Sequence, residues 1–317
     1  MSKRVFLLSF AVGLSVTCAI APTLMAAPQF IRQWGTQGSE PGQFKVPHGI
    51  ALGADGSVYV ADTQNRRIQK FTVEGELLAV WPTPAEALAI GTDGNVYALA
   101  VDGTVQKFGP TGAFVGQWQA RSSQGMFYSI AALPTGDMAV NLLSADMDES
   151  RIDVYSPTGS LIRGWSATPF LGCGGCVGPS GLAADANGNI FALSASANEV
   201  RVFTSAGELV TTFGGPGSGP GLSSSIGIAV SVINDVVLAD RGHSRIQVFD
   251  RNRLLTDLWG TWGSGPGEFL SPWGVAVSPG GLVFVTDEGN NRVEVFGELP
   301  TPAANATWGQ VKDRYRK

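Results

Sequence analysis

Six times along the chain a short apolar run ends in an aromatic residue: Trp34, Trp81, Trp118, Trp165, Phe213 and Trp259. The steps between these positions are 47, 37, 47, 48 and 46 residues. A period of about 40–50 residues that holds several short strands marks a propeller, because one such unit cannot bury its own apolar faces and must stack on neighbours in a ring. Repetition on this scale lets 317 residues form one domain, where length alone would suggest about two.

The first full unit sets the pattern. Residues 48–52 (HGIAL) form an apolar run, Asp55 and Gly56 a turn, and 57–62 (SVYVAD) an alternating strand. A second turn at 63–65 leads to 67–71 (RIQKF), and 76–81 (ELLAVW) follows Glu74 and Gly75. Period-two alternation bounded by turn residues reads as four strands. Unit two repeats this at 87–91, 95–100, 104–108 and 113–118, and unit three at 129–133, 137–143, 151–155 and 160–165. Unit four follows at 181–185, 189–194, 199–203 and 208–213, and unit five at 226–230, 235–240, 245–249 and 254–259. Unit six gives 273–277, 282–287 and 292–296 and stops one strand short.

The missing strand stands at the other end of the chain, as QFIRQW at 29–34. A ring left open there would expose unpaired strand edges. The N-terminal strand is therefore expected to pair with the last blade and close the ring. The fold expected is all-β: a six-bladed β-propeller of four-stranded antiparallel blades over 29–297. Composition agrees, with Gly 42, Pro 18 and only 15% charged residues, as suits many short buried strands joined by tight turns. Three loops between units share Gly38, Gly217 and Gly263 at one offset, then Pro41-Gly42, Pro220-Gly221 and Pro266-Gly267. Phe44, Leu222 and Phe269 follow, each expected to plug the gap between blades.

The N-terminus has the order of an export signal: Lys3 and Arg4, an apolar run at 5–21, then small residues to Ala26 and Ala27. Cleavage after Ala26 is expected, which makes 1–26 a signal peptide. Leu24 fits the −3 position poorly, so an uncleaved anchor stays open as the alternative and as the chain's one membrane contact. Either way the protein is expected to be secreted or extracytoplasmic, periplasmic or at a cell surface. Without Lys3 and Arg4 the chain has 19 basic against 26 acidic side chains, a net of −7. That balance argues against nucleic acid, which needs a basic face. Residues 298–317 read as a Pro/Ala linker and a basic tail.

The run Pro-Gly-x-Phe, Pro-x-Gly-Ile-Ala, Val-Tyr-Val-Ala-Asp and Asn-x-Arg-Ile-Gln-x-Phe over 41–71 resembles the NHL-repeat family. The resemblance covers roughly 29–297 and is strongest in units one, five and six. It implies a propeller of four-stranded blades and no single activity, since propellers bind, scaffold and catalyse.

Candidate site residues follow the repeat. Asp62, Asp240 and Asp287 each precede an arginine by five residues: Arg67, Arg245 and Arg292. An ion pair across each hairpin turn is the simplest meaning, and a cation site at a channel mouth the alternative. Units two, three and four have Ala100, Leu142 and Ser194 nearest that position, which disfavours a symmetric site. His48, in Pro-His-Gly at the start of an innermost strand, resembles the channel histidines of peptidyl-hydroxyglycine amidating lyases, propellers with a catalytic zinc. Catalytic zinc takes about three protein ligands, yet the matching places hold Trp273 in unit six and Ser180 in unit four. His243 falls in a hairpin turn. Cys173 and Cys176 are candidates for a loop disulfide. Trp262 and Trp273, like Phe127 and Tyr128, read first as packing between blades and second as a binding surface.

No catalytic residues, cofactor or metal site are assigned. The function expected is an extracytoplasmic binding module for a protein, peptide or glycan. The alternative is a metal-dependent propeller enzyme, lyase-like or lactonase-like.

Overall fold

A computed structural model describes residues 28–121, 129–143, 150–167, 180–195, 197–215 and 221–297. The strands run β1 (Gln29–Trp34), then blade one as β2 (Pro47–Leu52), β3 (Val58–Asp62), β4 (Arg67–Phe71) and β5 (Leu77–Trp81). Blade two is β6 (Ala87–Ile90), β7 (Val96–Leu99), β8 (Thr104–Phe108) and β9 (Phe114–Gln119). Blade three is β10 (Ile130–Ala132), β11 (Met138–Leu143), β12 (Ser150–Tyr155) and β13 (Leu161–Ser166). Blade four is β14 (Gly181–Ala184), β15 (Ile190–Ser194), β16 (Glu199–Phe203) and β17 (Leu209–Phe213). Blade five is β18 (Ile228–Val230), β19 (Val236–Asp240), β20 (Arg245–Phe249) and β21 (Leu255–Trp259). A two-residue pair, β22 (Thr261–Trp262) with β23 (Glu268–Phe269), precedes β24 (Pro272–Val277), β25 (Val283–Asp287) and β26 (Arg292–Gly297) of blade six.

The six sheets form a propeller ring. Their innermost strands β2, β6, β10, β14, β18 and β24 each touch the next, and β24 touches β2. Blade six takes its fourth strand from the chain's beginning, in the order β1-β26-β25-β24. The pairing is antiparallel from Gln29↔Gly297 to Trp34↔Val293, with a bulge between Phe30 and Arg32. Phe30 meets Phe296 edge-on at 6.0 Å. Ring closure therefore follows the strand count of the sequence.

The core lies between blades. Ile50, Val58, Val60 and Phe71 of blade one pack with Ala276, Phe284, Val293 and Val295 of blade six. Phe44, Leu222 and Phe269 are buried as inter-blade plugs. The aromatic period has a partner period. Trp34, Trp81, Trp118 and Trp165 each lie against a glycine in the next blade, at Gly75, Gly112, Gly159 and Gly207, where a Cβ would overlap the indole. These glycines also hold positive φ, from 88° to 92°, which other residues adopt at a cost. Between blades four and five both halves change together: Phe213 replaces Trp, and Arg253 replaces Gly. The Arg253 guanidinium lies 5.6 Å from the Phe213 ring centre and fills the same gap.

All blades point the same way, which gives the ring two distinct faces. At one face the inner strands start, the turns between second and third strands sit, and the channel opens; this is the mouth face. At the other lie the turns between first and second and between third and fourth strands. Gln29 enters and Gly297 leaves at this second face.

Candidate functional site

The three predicted ion pairs form. Arg67 Nε donates to Asp62 Oδ2 at 2.7 Å, Arg245 to Asp240 at 2.8 Å, and Arg292 to Asp287 at 3.1 Å. Asp62 also accepts from Lys45 N, Asn65 Nδ2 and Gln69 Nε2. Arg67 spends its other donors on the carbonyls of Ser39, Glu40 and Gln43 in the preceding inter-blade loop. Each aspartate thus ties a hairpin turn to the loop that carries the plug. Asp62, Asp240 and Asp287 are fully buried and engaged on both oxygens. The ion pair expected first for these aspartates is present; the alternative, a cation site at the channel mouth, would need an open side that burial denies them.

The channel mouth is lined by one equivalent residue per blade, four places before the end of the first strand. These are His48, Glu86, Ser180, Ile226 and Trp273, of which the last four line the cavity while His48 lies between Glu86 and Trp273. The blade-three equivalent, Tyr128, lies outside the described residues, as do Phe127, Cys173 and Cys176. The next position in each strand is small because inner strands meet backbone to backbone. A Cβ at Gly49, Gly181, Gly227 or Gly274 would strike the neighbouring strand. Among the described residues the channel is narrow, a cavity of about 70 Å³.

The chemistry gathers on one side of this mouth. His48 Nδ1 lies 2.7 Å from Glu86 Oε2. The imidazole stacks flat on Trp273, with centres 3.8 Å apart and planes 3° apart. The Arg241 guanidinium sits 5.2 Å from the Trp273 ring centre and pairs with Glu288 at 3.1 Å. A continuous run Glu86–His48–Trp273–Arg241–Glu288 thus crosses blades two, one, six and five. His48 is only 9% exposed, and its Nε2 has no hydrogen-bond partner among the described residues. With Glu86 accepting from Nδ1–H, the neutral ring keeps a lone pair at Nε2. The other side is blander. Ile226 is apolar, and the Ser180 hydroxyl is spent on the carbonyls of Leu193 and Ser225.

His243 stays in its hairpin, 3.0 Å from Asp240, so the two histidines do not converge. Trp262 corrects the packing expectation. It is 75% exposed on the loop before blade six, while Phe269, paired with it across β22 and β23, takes the buried place. Glu86, Arg241 and Glu288 were not singled out from sequence. Glu86 was readable, since it stands four residues before Ile90 as His48 stands before Leu52. Arg241 and Glu288 reach the mouth from hairpin turns, each directly after the repeated aspartate, the place Thr63 holds in blade one.

Comparison with known proteins places the repeat. The family model "NHL repeat" matches residues 44–71 and 269–296. Protein lin-41 of Caenorhabditis elegans is 41% identical over 56 residues, 18% of this chain and 5% of that one. NHL repeat-containing protein 3 of Homo sapiens is 44% identical over 48 residues, 15% of this chain and 14% of that one. The match thus spans a small part of each relative. Among solved structures, virginiamycin B lyase from Staphylococcus aureus superposes with a TM-score of 0.58 at 13% identity, covering 84% of this chain and 99% of that one. A Bacteroides thetaiotaomicron protein of unknown function gives a TM-score of 0.67 at 14% identity, covering 86% and 75%. These likenesses are of fold. Among the described residues, no group of three or more His, Cys, Asp or Glu side chains is placed to hold a metal ion.

Proposed function

We propose that this NHL-repeat protein, a six-bladed β-propeller, is a binding module that holds a peptide segment of a partner protein across its mouth face, outside the cytoplasm. The observation that carries the reading is the pairing of a rich surface with a narrow channel. Exposed Trp262 and the run from Glu86 to Glu288 lie on one face. The cavity of about 70 Å³ beneath them takes a few waters, whereas small-molecule pockets run to about 300–1,000 Å³. A ligand therefore lies over the mouth, with Trp262 as an aromatic anchor and Glu86, Arg241 and Glu288 fixing its polar groups. Export through residues 1–26 rests on the sequence of that segment.

One atom supports a second reading, a metal-assisted propeller enzyme. A buried imidazole held by a carboxylate with its other nitrogen unpartnered suits a metal or a transferable proton. Two measurements on the purified chain separate the readings. Selection of a random-peptide library should yield binders that lose about tenfold or more in affinity on Trp262→Ala. No enrichment, or binders indifferent to Trp262, would sink the first reading. A stoichiometric metal in the wild type, lost in His48→Ala, supports the second.

A further inference from the structure

We infer that the face opposite the mouth docks on a lipid bilayer, led by the turn between the first two strands of blade five. Six turns of this kind exist among the described residues, and all close with the same hydrogen bond across four residues. Examples are Gly56 N to Gly53 O at 2.9 Å and Asn234 N to Ser231 O at 3.0 Å. Five carry turn-forming tips: Ala54-Asp55-Gly56, Thr92-Asp93-Gly94, Pro134-Thr135-Gly136, Ala186-Asn187-Gly188 and Pro279-Gly280-Gly281. Blade five carries Val232-Ile233-Asn234 in the same place. Two β-branched apolar residues do nothing for such a turn. They are 68% and 67% exposed, and neither belongs to the core clusters on the two sides of blade five.

The neighbouring turn extends the patch. Arg253 Nη1 donates to Asn234 O at 3.1 Å, which sets Leu254, 64% exposed, beside the tip. Asp235 follows the tip, its carboxyl pushed up by burial and by the charge of Asp250, and Asp250 shares the neighbouring turn with Arg251 and Arg253; on the blade-six side, the turn at 278–281 carries no charge. Around the rim at this same face the fourth strands begin with exposed apolar pairs, Leu77-Leu78, Phe114-Val115, Leu161-Ile162 and Leu209-Val210.

The chain outside the ring selects a bilayer as the occupant. Gln29 and Gly297 are paired at this face, in blade six next to blade five, so both ends of the chain leave here. Retained as the uncleaved anchor, the alternative to cleavage after Ala26, the N-terminal segment brings the apolar run 5–21 behind Lys3 and Arg4. The C-terminal segment carries Lys312, Arg314, Arg316 and Lys317 against Glu298 and Asp313. An apolar cap flanked by an apolar segment and a basic segment is the composition of an interfacial contact with anionic lipid. Docked this way, the mouth points away from the membrane. The inference stands whether or not the mouth binds a peptide.

The test reconstitutes the full chain into nanodiscs of phosphatidylcholine and phosphatidylglycerol, roughly 3:1, with a photoactivatable group on the acyl chains. Lipid adducts are expected on the peptides carrying Val232, Ile233 and Leu254, with none on the mouth-face hairpin at Thr63–Asn65. In V232D/I233D, whose melting temperature serves as the folding control, adducts at that turn should fall about tenfold or more. V232S/I233S should lower them in the same direction. Adducts confined to residues 1–27, adducts equal on the two faces, or a turn left unlabelled because it meets protein would each overturn the inference.

Discussion

Glu294→Gln is expected to raise the melting temperature at pH 8 by about 5 °C. The reason lies in comparing blades. Where blades one and five have Gln69 and Gln247, blade six has Glu294, fully buried. Gln69 Nε2 donates to Asp62 at 3.0 Å, and Gln247 Nε2 to Asp240 at 2.8 Å. Glu294 still accepts from Gly267 N at 3.1 Å, but as a carboxylate it has no proton to offer Asp287. Burial pushes its carboxyl up to about 7, against the pull of Arg292 and with the added repulsion of Asp287.

The sign follows from linkage. The unfolded chain titrates this group near 4.5, so the folded state holds the proton more tightly. No penalty applies below that value. Stability falls as pH rises from 4.5 to 7 and stays lowered above 7, by about 3 kcal/mol at most. Glutamine removes the slope and restores the donor. Arg292 gives up its ion pair with Glu294 Oε1 but keeps the charge of Asp287 and the carbonyls of Ser264, Gly265 and Glu268, as Arg67 is held in blade one with a glutamine beside it. Thermal melts of both proteins at pH 4.5 and pH 8 check it. The gain should appear at pH 8 and vanish at pH 4.5; an equal gain at both would show that titration of Glu294 is not the cause.

Asp62→Ala is expected to cost about 3–5 kcal/mol, the range for removing one partner of a buried ion pair. The loss takes the charge partner from Arg67 Nε and one acceptor each from Lys45 N, Asn65 Nδ2 and Gln69 Nε2, so several polar groups pay at once although Arg67, Asn65 and Gln69 keep their carbonyl partners. Glu208→Ala, at an exposed turn position, should change stability by no more than about 0.5 kcal/mol. Urea titration of the two variants compares them directly. A cost below about 1 kcal/mol for Asp62→Ala would mean the hairpin is not locked through this carboxylate.

Much of this was legible because repetition turns one chain into several parallel observations. The Asp–Arg spacing appears three times, so a local pair could be read without a structure. Ring closure followed from one missing strand at the end and one spare at the start. What escaped reading depends on neighbours in the ring. His48 and Trp273 stack although 225 positions separate them, since blades one and six adjoin only when the ring closes. The glycines facing Trp34 and its equivalents were visible as turn residues, yet their second duty, making room for an indole, belongs to the next blade. Trp262 and Phe269 sit in one irregular loop, where no period fixes which side chain turns inward. The swap of Gly for Arg253 beside Phe213 shows the same limit, because each change is intelligible only through the other. Cys173, Cys176 and the segments before 28 and after 297 lie outside the described residues.

Native-state amide hydrogen exchange across β1 and β26 tests ring closure, on which both faces depend. Joined as the outer pair of blade six, the interior amides of the two strands should exchange only through global unfolding, with equal free energies. If β1 amides exchanged like a free strand while β25 and β26 stayed protected, the N-terminal strand would not close the ring.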